Sequence, residues 1–214
     1  MRQPPDPVRG FWYFMKVIYI RDSRSRGYLR IGISDGSEKS EYTVSESEYR
    51  DLSSPLIGDE ISDLSFLKLC DMRYRGKLYA LRILSFGDNN EQTLRKKLIS
   101  RSISADVARE ICEQMVGLGY INEDRQLEKL IENEANVRLF GKKKILLRLL
   151  SKGYQRAQIE AAIERAVMSG AVDFEASRKK LIDKKFPSGA SPEEIKALLY
   201  KSGYACTAAD GDYD

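Results

Sequence analysis

The residues best able to do chemistry in this sequence are lysines and arginines that occur in short clusters. Three runs stand out, Arg95-Lys96-Lys97, Lys142-Lys143-Lys144 and Arg178-Lys179-Lys180. Cationic side chains at this density bind phosphate groups through charge, with no requirement for base sequence. The candidates for contact with nucleic acid or a nucleoprotein filament are therefore Arg95, Lys96, Lys97, Arg101, Lys142, Lys143, Lys144, Arg148, Lys152, Arg178, Lys179, Lys180, Lys184 and Lys185.

The positive charge is concentrated in one part of the chain. Residues 91–201 hold 22 Lys and Arg against 16 Asp and Glu, whereas residues 1–90 hold 14 against 13. A single lysine on a helix surface is more often an ordinary solvated residue than a ligand contact. The clusters recur along the chain, however, and this favours a polyanionic partner for residues 91–201.

No histidine occurs among the 214 residues. This excludes Ser-His-Asp and Cys-His nucleophiles and the HExxH zinc site. The sequence also contains no GxxxxGK[ST] phosphate loop and no GxGxxG segment after a strand. We predict no catalytic residue, no metal site and no cofactor. The enzymatic alternative is a nuclease that uses carboxylates and a metal ion, and no converging set of Asp and Glu supports it.

The three cysteines, Cys70, Cys112 and Cys206, are far apart and form no CxxC pair. They indicate neither a disulfide framework nor a zinc site, and Cys112 is predicted to be a buried, reduced thiol. No segment approaches the ~20 apolar residues of a membrane span. Prolines precede the first apolar run and Lys16 interrupts it, so the start is not typical of a signal peptide. We expect a cytoplasmic protein.

The first third of the chain shows strand patterns. After a lead of residues 1–10, predicted to be disordered, residues 11–62 are rich in aromatic and β-branched types and in turn signals, which predicts a small antiparallel β domain. Phe11 to Phe14 are expected in its core, and Ser45 to Glu48 form a capping box that opens a short helix. The strands are predicted over residues 11–20, 28–34 and 41–44 and briefly before residue 62.

From about residue 66 the pattern becomes helical and repeats itself. An apolar stripe of Leu78, Leu81 and Leu84 predicts the first helix, and Asn89-Asn90, Ser104 and Ser191 are predicted N-caps. The segment LRKKLISRSI (94–103) aligns with ILLRLLSKGY (145–154) and with IKALLYKSGY (195–204), at offsets of 51 and 50. The next helices align with a one-residue insertion, which pairs Val107, Ile111 and Met115 with Ile159, Ile163 and Val167.

The fold class is thus mainly α, with tandem three-helix repeats of about 50 residues after a small antiparallel β domain. We predict repeat 1 at 66–122, repeat 2 at 123–172, a truncated repeat 3 at 173–204 and an acidic tail at 205–214. Tyr154 and Tyr204 are expected to pack in the core behind a helix end. Lys142 to Lys144 oppose the helix dipole at a helix start, which indicates that something other than helix stability accounts for them.

This order of segments resembles the RecX regulatory family. The resemblance is carried by ALRILS, LRKKLISRSI and GYINED in the first copy and by GKKKILLRLLSKGY and IEAAIERAV in the second. It covers residues 66–204 well, and the β-rich leader is similar to one found on some RecX proteins of Gram-positive bacteria. The step Gly119-Tyr120-Ile121-Asn122 at a unit boundary is typical of the family.

The resemblance implies a non-catalytic monomer that binds RecA and its filament on single-stranded DNA. It implies that the protein inhibits recombinase, ATPase and coprotease activity in homologous recombination, DNA repair and the SOS response. A general, sequence-independent DNA-binding helical protein with no RecA partner is the alternative. A salt titration separates the two, because phosphate contacts weaken steeply with salt and a protein–protein contact persists.

Overall fold

The computed structural model describes residues 15–205. These residues form two compact units, which divide between Leu81 and Arg82. The predicted lead, the aromatic run Phe11 to Phe14, Cys206 and the tail from residue 206 lie outside the described residues. The predicted fold class is confirmed, since the described chain holds four strands followed mainly by helices. Among the helices of the described residues, none combines the length and apolar character needed to cross a membrane.

The first unit contains an antiparallel sheet of four strands. Their order in the sheet is β3 (Lys39–Ser45), β2 (Tyr28–Ser34), β1 (Met15–Asp22) and β4 (Glu60–Ile61). Alternation along the strands places Ile31 and Ile33 on the buried face, together with Val17 and Val44, and all four are at most 1% exposed. The predicted capping box is present, because Ser45 accepts from the Glu48 amide while the Glu48 side chain accepts from the Ser45 amide. The elements are β1 (Met15–Asp22), β2 (Tyr28–Ser34), β3 (Lys39–Ser45), α1 (Glu46–Asp51) and β4 (Glu60–Ile61).

A long helix, α2 (Ser65–Ser85), covers the sheet with its first half. Leu67 and Cys70 join the core of the sheet, and the buried Asp71 accepts a hydrogen bond of 3.1 Å from the Thr43 amide. Most of α2 therefore belongs to the first unit, although its sequence pattern assigned it to repeat 1. The predicted stripe is wrong at Leu78, which is 45% exposed, because the sheet selects a face of α2 that continues through Gly76 and Ala80.

The second unit is helical throughout its regular structure. Three of its helices begin with the predicted caps, since the side chains of Asn90, Ser104 and Ser191 each accept a hydrogen bond from the first-turn backbone. The helices are α3 (Glu91–Ile99), α4 (Ala105–Gly117), α5 (Glu123–Glu132, continued by a π-helical turn, Asn133–Val137), α6 (Lys142–Ser151), α7 (Arg156–Met168), α8 (Phe174–Lys185) and α9 (Pro192–Ser202).

The helix starts reproduce the repeat found in the sequence. The middle helices α3, α6 and α9 begin at residues 91, 142 and 192, which keeps the offsets of 51 and 50. The predicted insertion in the next helix is wrong, because α4 and α7 start at residues 105 and 156 and bury matching positions at an offset of 51. Met115 thus corresponds to the buried Ala166 and not to Val167, which is 41% exposed.

Candidate nucleic-acid interface

The middle helices of successive repeats meet end to end. At the N-terminus of α6, the Gly141 and Lys143 amides donate to the Ser202 and Gly203 carbonyls at the end of α9, at 2.8 and 3.2 Å. At the N-terminus of α3, the Asn90 side-chain amide donates to the Lys152 carbonyl after α6 at 2.9 Å. These bonds satisfy backbone groups that have no partner inside a helix, and the helix dipoles align head to tail.

A buried tyrosine stands at each of these two junctions, as predicted. The Tyr154 hydroxyl donates to Gln126 Oε1 at 2.9 Å, and the Tyr204 hydroxyl donates to the Leu139 carbonyl at 3.2 Å. Both residues are 7% exposed. Burial raises the pKa of each tyrosine to about 12, and nearby carboxylates, Glu123 and Glu175 among them, add to the effect. The junctions therefore require neutral phenols.

Stability should consequently fall at alkaline pH. The folded-state pKa of each tyrosine lies above the unfolded value of about 10. The stability that each neutral phenol contributes is therefore complete below pH 10 and is lost as the pH rises through 12. We expect the double variant Tyr154→Phe/Tyr204→Phe to lose less stability between pH 10 and 12 than the wild type. At pH 7 each change should cost about 1 kcal/mol through the lost hydrogen bond. Urea denaturation at several pH values measures this, and equal alkaline slopes for the two proteins would contradict it.

The first junction is lined by a cavity of about 560 Å³ that is open to solvent and lies between repeats 1 and 2. Two predicted residues meet there, Lys96 from α3 and Lys152 from the end of α6. A third lysine, Lys129 of α5, also lines the cavity and was missed by the sequence analysis. The repeat offset of 51 could have identified it, because Lys129 corresponds to the predicted residue Lys180.

The second junction has a smaller cleft of about 270 Å³. It brings together Lys142 and Lys143 from α6 and Arg178 from α8, which lie far apart in the sequence. Lys142 and Lys143 are exposed, and the Lys142 ammonium lies 5.5 Å from the ring centre of Phe174. The predicted cluster at the start of α6 thus faces solvent beside the third repeat.

Some predicted residues have partners inside the fold. Lys144 donates to the Lys201 carbonyl at 3.2 Å and lies 4.0 Å from the ring centre of Phe140. It therefore caps the end of α9 and contributes to helix stability there. Lys97 donates to Asn89 at 2.6 Å.

Arg148 neutralises a buried carboxylate. Its Nε lies 2.9 Å from Glu134 Oε2, and Arg138 approaches the same carboxylate at 3.5 Å. The Glu134 side chain is only 3% exposed, and a buried carboxylate without a cationic partner would destabilise the fold. Arg148 therefore has a structural role.

Arg178 lies where the preceding repeat has a core leucine. Its equivalent, Leu127, is 0% exposed and packs against α7, whereas Arg178 forms an ion pair of 3.4 Å with Glu175. In the described residues no third helix follows α9, and Arg178 lines an open groove of about 590 Å³ with Lys179, Ile182 and Ile195. The Arg178 side chain is nevertheless only 12% exposed.

The other predicted residues are exposed on helix surfaces. This holds for Arg95 in α3, for Arg101 shortly after α3, and for Lys180, Lys184 and Lys185 in α8. The two described cysteines are buried and free, as predicted for Cys112, and burial raises its pKa to about 11. Within residues 15–205, no group of three or more Cys, Asp and Glu side chains is placed to hold a metal ion.

The chain is similar to proteins named RecX. The regulatory protein RecX of Clostridioides difficile (strain 630) is 24% identical over 159 residues, which is 73% of either chain. A crystal structure of regulatory protein RecX superposes with a TM-score of 0.67 at 18% identity, over 89% of this chain and 95% of that one. RecX from Lactobacillus salivarius gives a TM-score of 0.54 at 24% identity, over 63% of this chain and 90% of that one. No family model matches.

Proposed function

We propose that this chain belongs to the RecX regulatory family, which its similarity to proteins named RecX supports, and that it binds RecA and the RecA filament on single-stranded DNA. In this proposal the protein acts without catalysis, in the cytoplasm and as a monomer. It slows the ATPase, recombinase and coprotease activities of the filament, and so restrains homologous recombination, DNA repair and the SOS response.

The observation that carries the proposal is the end-to-end order of α3, α6 and α9. Together they contain 30 helical residues, or about 45 Å of helix. Exposed cations occur at both ends of α6, with Lys142 and Lys143 at its start and Lys152 just after its end. A row of this length that presents positive charge at intervals suits a long polyanionic partner better than a small ligand.

The test is RecA ATPase on single-stranded DNA with a charge-reversed variant. We predict that Lys142→Glu/Lys143→Glu raises the concentration needed for half-inhibition about tenfold, the size expected for two exposed charges facing a polyanion. Lys144 is left unchanged because it caps α9. Lys39→Glu/Lys68→Glu, two exposed residues of the first unit, is a control with the same change in net charge.

The result is read against this control. Equal inhibition by the Lys142/Lys143 variant and the wild type would exclude the α6 start from the interface. Equal weakening by both variants would show that net charge alone matters. If the wild type leaves RecA ATPase unchanged but binds DNA in a strongly salt-dependent way, the alternative of a general DNA-binding protein replaces the proposal.

A further inference from the structure

We propose that the junctions between repeats are phosphate-binding sites for a nucleic-acid strand, and that the first of them is the cavity lined by Lys96, Lys129 and Lys152. This deepens the proposed function by naming the ligand group and the residues that hold it. It is tested on the protein without RecA, so that it can fail while the proposed function survives.

The first argument is the charge of this cavity. Its three lysines come from three different helix segments, so the end-to-end packing of the repeats is what brings them together. Among the described residues that line the cavity, Asp88 alone carries a carboxylate. None of the three lysines is paired with a carboxylate within residues 15–205, so their ammonium groups are available to an anionic ligand.

The second argument is the polar character of the walls. Asn133 lines the cavity beside the lysines and presents an exposed side-chain amide, whereas Asn90 and Thr93, which also line it, donate to the Lys152 carbonyl. Phosphate oxygens in nucleic-acid complexes accept hydrogen bonds from residues of these types as well as from lysine. A volume of about 560 Å³ accommodates a phosphodiester and its sugar. The site therefore combines charge, hydrogen-bond donors and space.

The third argument is that the second junction is cationic as well. Its cleft is lined by Lys142, Lys143 and Arg178. Of the three cavity lysines only Lys129 has a cationic equivalent, Lys180, at the repeat offset of 51. The second junction therefore repeats the positive charge of the first with a different set of residues.

The spacing suits one continuous strand. The two junctions lie at opposite ends of α6, whose 10 residues span about 15 Å. Along the axis of B-form DNA each strand carries one phosphate per about 3.4 Å, so this distance corresponds to roughly four nucleotides of a B-form strand and to fewer of a more extended single strand. Two sites at this separation would hold the same strand at two points, and a strand too short to reach both would bind more weakly.

The experiment measures fluorescence anisotropy of labelled oligothymidylates at low salt. We expect Lys96→Gln/Lys129→Gln/Lys152→Gln to bind a 12-nucleotide strand about tenfold more weakly than the wild type. The slope of log affinity against log salt should fall by about 2, since each phosphate contact on a single strand contributes about 0.7. The variant Lys39→Gln/Lys68→Gln/Arg125→Gln removes the same charge from exposed positions that do not line the cavity and are not among the candidate contacts.

This control should bind within about twofold of the wild type. Equal losses of oligothymidylate affinity in the two triple variants would overturn the proposed site, because they would mean that binding depends only on net charge. Failure of the wild type to bind any oligothymidylate would also overturn it, whereas an unchanged effect on RecA ATPase would leave the proposed function standing. Thermal unfolding by circular dichroism shows whether either variant has lost its fold.

Discussion

Replacing Leu149 by alanine is expected to lower the free energy of unfolding by about 3 to 5 kcal/mol. Leu149 lies in the last turns of α6, is 0% exposed, and packs in a cluster with Leu127, Ile131 and Ile159. Truncation removes apolar surface from this cluster and leaves a cavity bounded by α5 and α7. The surrounding helices cannot close it fully, because their caps and the end-to-end junctions hold them in place.

Equilibrium urea denaturation followed by circular dichroism measures this loss. Leu147→Ala is a matched control on the same helix, since Leu147 is 65% exposed and its change should alter stability by less than about 0.5 kcal/mol. Similar losses for the two variants would show that α6 is not buried in the way the structure describes. The side of α6 that carries Leu149 would then have to be reassigned.

The second large effect is expected from Gly141→Ala at the junction of repeats 2 and 3. A β-carbon at this position would collide with the backbone of Gly203 and Tyr204, so one side of the junction must move. The backbone of Gly141 is itself ordinary for alanine, with φ −78° and ψ 166°. The cost is therefore steric and should be about 2 to 3 kcal/mol.

Gly117→Ala is the control for this change, because a β-carbon there meets no atom within 4 Å and the residue lies in α4. It should leave stability unchanged or raise it by up to about 1 kcal/mol. Hydrogen exchange locates the effect, and we expect Gly141→Ala to reduce protection in α8 and α9 more than in α3 and α4. Uniform loss of protection would argue against a junction at this glycine.

Several features of the fold follow from local sequence. The period of about 50 residues is visible because each copy has to bury the same stripe, as Leu98, Leu149 and Leu199 do, each at 0% exposure. The caps at Asn90 and Ser104 were predictable because capping depends on one side chain and the backbone of the following turn. The strand that carries Ile31 and Ile33 was predictable for a similar reason, because strand formation is favoured by β-branched residues between turn signals.

The candidate site was predictable only in part. Charge clustering identifies Lys142 and Lys143, and the structure exposes both. Charge clustering alone cannot distinguish these two lysines from Lys144 or Arg148, whose side chains contact the Lys201 carbonyl and the Glu134 carboxylate. A cation in solvent and a cation bound to a distant acceptor look alike in a sequence.

By itself, then, the sequence determined the order of the elements, the repeat period, the caps and the separation of the cationic region from the β-rich one. These depend on interactions within a few residues or on composition. The tertiary structure decided that α2 lies mostly with the sheet, that Arg178 replaces a core leucine beside an open groove, and that Lys96, Lys129 and Lys152 share one cavity. The physical reason is that each of these depends on which helix ends meet, and residues at such a meeting point are separated by tens of positions in the chain.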